Sequence, residues 1–151
     1  MPFKQTQELL TLLRTIHERW RSFAETHQQQ GDKRLQVILE HIASERERLR
    51  ESLEQYERQA PEEVRATWFQ YPDEEAIKQP LARMEQTDMS VDEAVETALQ
   101  MSQGLAEMYE HLAHRAPATA ASQLFARLHE TETRARTRLV RQLNELAGAE
   151  W

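Results

Sequence analysis

Apolar residues recur along this chain at alternating steps of three and four, the spacing that lines one face of an α-helix. The first seam reads Leu9, Leu13, Ile16, Trp20, Phe23 and then His27. Gly31 and Asp32 break it, a glycine suited to closing one helix and an aspartate suited to capping the next. The second seam runs Leu35, Leu39, Ile42, Arg46, Leu49, Leu53 and Tyr56 and stops before Pro61. A third starts where Ser90 and Glu93 have capping-box spacing, and continues through Val95, Ala98, Ser102, Leu105, Tyr109 and Leu112 towards Pro117. The last carries Ala121, Phe125, Leu128, Glu132, Ala135, Leu139 and Leu146, with Gly148 as its stop. These spacings predict helices over about 3–29, 33–59, 90–115 and 118–147, each roughly 40 Å long at 1.5 Å per residue.

Connection lengths set the topology. Only a few residues join the first helix to the second and the third to the fourth, so each pair is expected to be an antiparallel hairpin. The stretch of about 61–89, with Pro61, Pro72 and Pro80, is long enough to cross the bundle, with a short helix expected around Glu74–Gln79. The prediction is an all-α, single-domain four-helix bundle over 1–151, two hairpins joined by a long crossover. An offset of 86 residues superposes the hairpins: position 16 falls on 102, 23 on 109, 39 on 125, 46 on 132 and 53 on 139. The same offset fits the short loop inside each hairpin, which points to an internal duplication.

Composition narrows the classes. Three Gly and five Pro are too few for the corners of an all-β protein. The absence of Cys removes disulfides, thiolate metal sites and a Cys nucleophile. A net charge of −7 argues against nucleic-acid binding, which needs a cationic surface. No apolar run is long enough to span a membrane, and Met1 to Leu10 lacks the layout of a secretory leader, so a cytoplasmic location is expected.

With the two hairpins in place, Tyr109 seven residues after Ser102, and the run Phe125, Leu128, Glu132, the chain resembles the ferritin-like superfamily, and the rubrerythrin-like domains most. That resemblance implies a di-iron centre held by one Glu from each of two helices and a Glu-x-x-His pair from each of the other two. Carried onto this sequence, the lone-Glu positions fall on Ile16 and Ser102, the first pair on Arg46 and Leu49, and the second on Glu132 and Ala135. Only Glu132 can ligate iron, and no Glu-x-x-His occurs anywhere in the chain.

Arg46 and Glu132 are charged residues on otherwise apolar or small seams, and the repeat makes them equivalent. An isolated buried charge is too costly to keep, whereas a hydrogen-bonded pair is tolerable. The expectation is an ion pair where a di-iron centre would sit, with Ser102 accepting a further guanidinium proton. Against it stands the ordinary alternative, that both long side chains reach out to solvent. The implied function is a non-catalytic structural or protein-interaction module, with no cofactor, a possible homodimer and a protein partner of unknown kind. The competing reading is a rubrerythrin-like oxidoreductase or metal-handling protein, its iron held by a rearranged set drawn from Glu132, Glu45, His41, His111 and His114.

Other features have two readings each. His111 and His114, one turn beyond Glu107 and Glu110, could share a metal or form a solvated face. His41 with Glu45 reads in the same two ways, and His27 is expected to keep a partly buried polar tip. Arg127, Arg134, Arg138 and Arg141 form a basic face for an anionic partner, or for acids such as Glu47, Glu51 and Glu54 on another helix or a second subunit. Trp68, Phe69 and Tyr71 are either interface anchors or a plug for one end of the bundle. Gly104, inside the third helix, is expected at a close helix contact, since it costs about 1 kcal/mol against Ala there. No nucleophile elbow and no glycine-rich phosphate loop is present.

Overall fold

The structure, a computed structural model, describes residues 3–27, 33–66, 68–70, 75–86, 89–116 and 119–149. Four long helices carry the fold: α1 (Thr6–His27), α2 (Lys33–Gln59), α5 (Val91–Arg115) and α6 (Thr119–Ala149). Between the second and third of them lie α3 (Glu62–Arg65), a single turn, and α4 (Glu75–Arg83). α1 packs on α2 and α5 on α6, which makes the two hairpins, and α4 lies along α5. The connectivity is the expected one.

Several boundaries differ from the sequence reading. The first helix starts at Thr6, not at 3, because Phe3–Gln5 forms strand β1. β1 pairs antiparallel with β2 (Trp68–Gln70) in the crossover, with Lys4 opposite Phe69. Three-residue strands are too short to show a two-residue period, so the ribbon leaves no pattern to read. α4 extends past Gln79 to Arg83 with Pro80 inside it. α6 runs through Gly148 rather than stopping there. The roles assigned to Gly31, Asp32, Pro72, Tyr71 and Pro117 lie outside the described residues. Ser90 caps α5: its Oγ accepts from the Glu93 amide at 3.2 Å and its hydroxyl donates to the Glu93 carboxylate at 3.0 Å.

The core takes Leu9, Leu13, Ile16 and Trp20 from α1, Leu39 and Ile42 from α2, Leu105, Tyr109 and Leu112 from α5, and Phe125 from α6, all buried. Positions 86 apart share that burial: Leu9 with Val95, Phe23 with Tyr109, Leu39 with Phe125 and Leu53 with Leu139. Among the described residues, no helix is long and apolar enough to cross a membrane.

Candidate functional site

Each long helix sends a polar or aromatic side chain to one level of the bundle. From α2, the Arg46 guanidinium donates from Nη1 to Oε2 of Glu132 on α6 at 2.7 Å, with both residues 3% exposed or less. The Cζ of that guanidinium lies over the indole of Trp20 from α1, 3.5 Å from the ring centroid, a cation–π contact between two buried side chains. Ser102 of α5 completes the carboxylate by donating from Oγ to Oε1 at 2.9 Å. The direction is opposite to the sequence expectation. Ser102 gives its proton to Glu132 because an ionised carboxylate is the stronger acceptor and its second oxygen is otherwise unserved. Solvent-seeking arrangements of Arg46 and Glu132 are excluded by this geometry.

A second polar pair adjoins the first. His17 of α1 and Tyr109 of α5, both buried, meet at 3.2 Å between Nε2 and the phenol oxygen. The imidazole also lies parallel to the Trp20 ring, centroids 6.3 Å apart. Burial, and then the Arg46 charge, hold the His17 pKa well below its ordinary value of 6.5, so the ring is neutral. Burial and the Glu132 charge push the Tyr109 phenol up, only partly opposed by Arg46.

His17 was not singled out by sequence reasoning. The signal was a second buried row on α1, Leu10, His17 and Ala24 at steps of seven, beside the seam that was read.

The neutral His17 makes stability depend on pH. Below about 6.5 the unfolded chain takes up a proton that the folded chain refuses, so folding weakens as pH falls, by at most about 1.4 kcal/mol per unit from this group. The loss of urea midpoint between pH 7.5 and 5.5 should therefore be larger in the native chain than in His17→Gln. Equal losses in the two proteins would remove this account.

The remaining candidates do not gather around Glu132. Glu45 sits among cations: Arg138 Nη2 at 2.8 Å, Arg46 Nη2 at 3.8 Å and Arg48 Nη2 at 3.9 Å, with His41 Nε2 at 4.0 Å. His111 and His114 are exposed, and the His114 Nδ1 faces the Glu110 carbonyl at 2.8 Å. Among the described residues no three His, Asp or Glu converge as a metal site. On the basic face of α6, Arg138 pairs with Glu45 of α2 and Arg134 with Glu130 of its own helix, whereas Glu47 and Glu54 are taken by Arg21, Arg50 and Arg58. His27 is fully buried against Phe23 rather than partly exposed. Trp68 is 54% exposed on β2, so its own side chain does not plug the bundle; the side chains of Phe69 and Tyr71 lie outside the described residues.

A di-iron centre does not fit this donor set. Ile16, Leu49 and Ala135 offer no ligand atoms, Ser102 is a neutral hydroxyl, and Arg46 already neutralises the single carboxylate with a cation that would repel a metal.

No family model matches the chain, and no curated protein matches it in sequence. In three dimensions it is similar to the crystal structure of a protein described as a ferritin-like diiron-carboxylate protein from Thermotoga maritima. The TM-score is 0.68 at 12% identity, over 96% of this chain and 98% of that one. The fold of this chain is ferritin-like.

Proposed function

We propose that this ferritin-like bundle is a non-catalytic helical module, cytoplasmic and homodimeric, that acts through its surface as a structural or protein-interaction element and not through a di-iron centre. The observation that carries the reading is the Arg46–Glu132 contact of 2.7 Å. The repeat puts those two residues at equivalent positions, where the resemblance to metal-binding relatives would put ligands. A guanidinium there supplies in permanent form the positive charge that a metal would bring, so the carboxylate is balanced without a cation from solution.

Metal content and mass test the proposal together. Protein purified under mild conditions is expected to hold far less than one equivalent of iron, manganese or zinc, to show no visible absorption band, and to scatter light as twice 17.8 kDa. Stoichiometric metal that disappears in Glu132→Gln would overturn the metal-free reading in favour of an oxidoreductase or metal-handling protein. A monomeric mass would overturn the homodimer.

A further inference from the structure

A cavity of about 240 Å³ opens between α2 and α6. Its lining changes character with depth. Leu53 and Leu124 are buried, Leu49 and Leu128 are half-buried, and Ser52 and Arg127 stand exposed at the rim. We propose that this cavity binds a small monocarboxylate, its apolar body among the leucines and its carboxylate at the rim on Arg127. The inference goes beyond the surface role proposed above and does not depend on it.

Charge decides which end of the ligand faces out. The lining holds one acid, Glu132, and one arginine, Arg127, and the two are not equivalent. Glu132 is buried, with one oxygen taken by Arg46 at 2.7 Å and the other by Ser102 at 2.9 Å, so it calls for no cation from a ligand. Arg127 is the charge left over. Among the described residues it pairs with no carboxylate, and its Nε donates to the Gln123 carbonyl at a long 3.5 Å. Its own helix offers it little: the residues four before and four after are Gln123 and Thr131, and Glu130 is taken by Arg134.

A guanidinium is a fork of donors that a carboxylate can meet with both oxygens. At a rim the carboxylate also keeps part of its hydration, which a charge carried to the buried end would lose. One unpaired cation balances one negative charge, so a dianion would leave its second charge without a partner, and a cationic ligand would be repelled. Size sets the apolar body. An apolar cavity of about 150 Å³ already accepts benzene, so the larger space here takes a phenyl ring with a short linker.

Calorimetric titration of the full chain at pH 7.5 and low salt, with phenylpropionate and its neutral counterpart phenylpropionamide, tests each element. Phenylpropionate is expected to bind one to one with a dissociation constant of about 1 mM or tighter, the range open to a ligand of this size. The amide keeps the body and gives up the charge, so it should bind about threefold more weakly or worse, as expected for an ion pair at a surface. Arg127→Glu, at an exposed position, replaces attraction by repulsion. It should weaken the acid by about tenfold or more and leave the amide within about twofold. Ser52→Trp, which covers the cavity from its exposed edge, should weaken both probes by about tenfold or more while far-UV circular dichroism stays native. If Ser52→Trp unfolds, the Arg127→Glu comparison carries the test alone. No saturable phenylpropionate binding to the native chain overturns the proposal, as does binding unaltered in folded Ser52→Trp. Amide equal to acid, or acid affinity retained in Arg127→Glu, overturns the role of Arg127 and with it the carboxylate class.

Discussion

Glu132→Leu should destabilise the chain by about 3–5 kcal/mol, the loss typical of removing one partner from a buried ion pair. The reason lies in what remains. The Arg46 guanidinium would be left in the core beside Trp20, with its other acidic neighbour, Glu45, 3.8 Å away and already held at 2.8 Å by Arg138. A cation–π contact is worth about 0.5–2 kcal/mol, too little to replace a carboxylate 2.7 Å away. Ser102 would lose its acceptor as well. Arg46→Met should cost a similar amount, because it strands the carboxylate instead. The double variant Arg46→Met with Glu132→Leu should recover most of either loss, since two apolar side chains of similar volume satisfy each other and leave no buried charge. Urea unfolding of the four proteins gives the comparison, with the m-value confirming an unchanged transition. Single-variant losses below about 1 kcal/mol would mean that water reaches the pair and screens it. A double variant no better than its parents would mean that packing, not charge, is what the singles disturb.

Much of this centre is legible in the sequence, and the limits have physical causes. Arg46 and Glu132 stand out because a charge on an apolar seam is conspicuous, and a common offset of 86 puts both at one level. Which oxygen each donor reaches is not a periodic property. Ser102 therefore reads as an acceptor from composition and proves to be a donor once the carboxylate is placed. Trp20 reads as plain core; its face becomes a cation receptor only because α2 delivers a guanidinium there. His17 and Tyr109 come from α1 and α5, which belong to different hairpins, so no local pattern links residues 92 positions apart. The β1–β2 ribbon fails to register for a different reason. Pairing partners 65 residues apart are invisible to any window, and three residues per strand carry no alternation.

Gly104→Ala is expected to destabilise by about 1–3 kcal/mol, and the sign is what makes the test sharp. In an exposed helix the same change would stabilise by about 1 kcal/mol, because alanine loses less backbone freedom on folding. Here α4 lies in the way. A Cβ on residue 104 would overlap the Ala76 carbonyl oxygen, lie 2.8 Å from the carbonyl carbon and 3.1 Å from Cγ2 of Ile77. Those first two atoms are backbone, so no rotamer change relieves them, and α4 must move as a body. Pro80 explains why that carbonyl is available for so close an approach. Proline has no N–H to return to the residue four positions back, which is Ala76. Displacing α4 would also lift Ile77, now fully buried, off the core. The close approach of the crossover to α5 therefore rests on a residue without a side chain facing a carbonyl without its helical partner, beside the hydrogen bond from Arg83 Nη1 to Gln100 Oε1 at 3.0 Å. Hydrogen exchange should show the loss locally: amides of α4 in Gly104→Ala exchange faster by tenfold or more, while those of α1, α2 and α6 keep their protection relative to the lowered global stability. Unchanged exchange in α4 together with a raised urea midpoint would mean that α4 does not rest on Gly104 in solution.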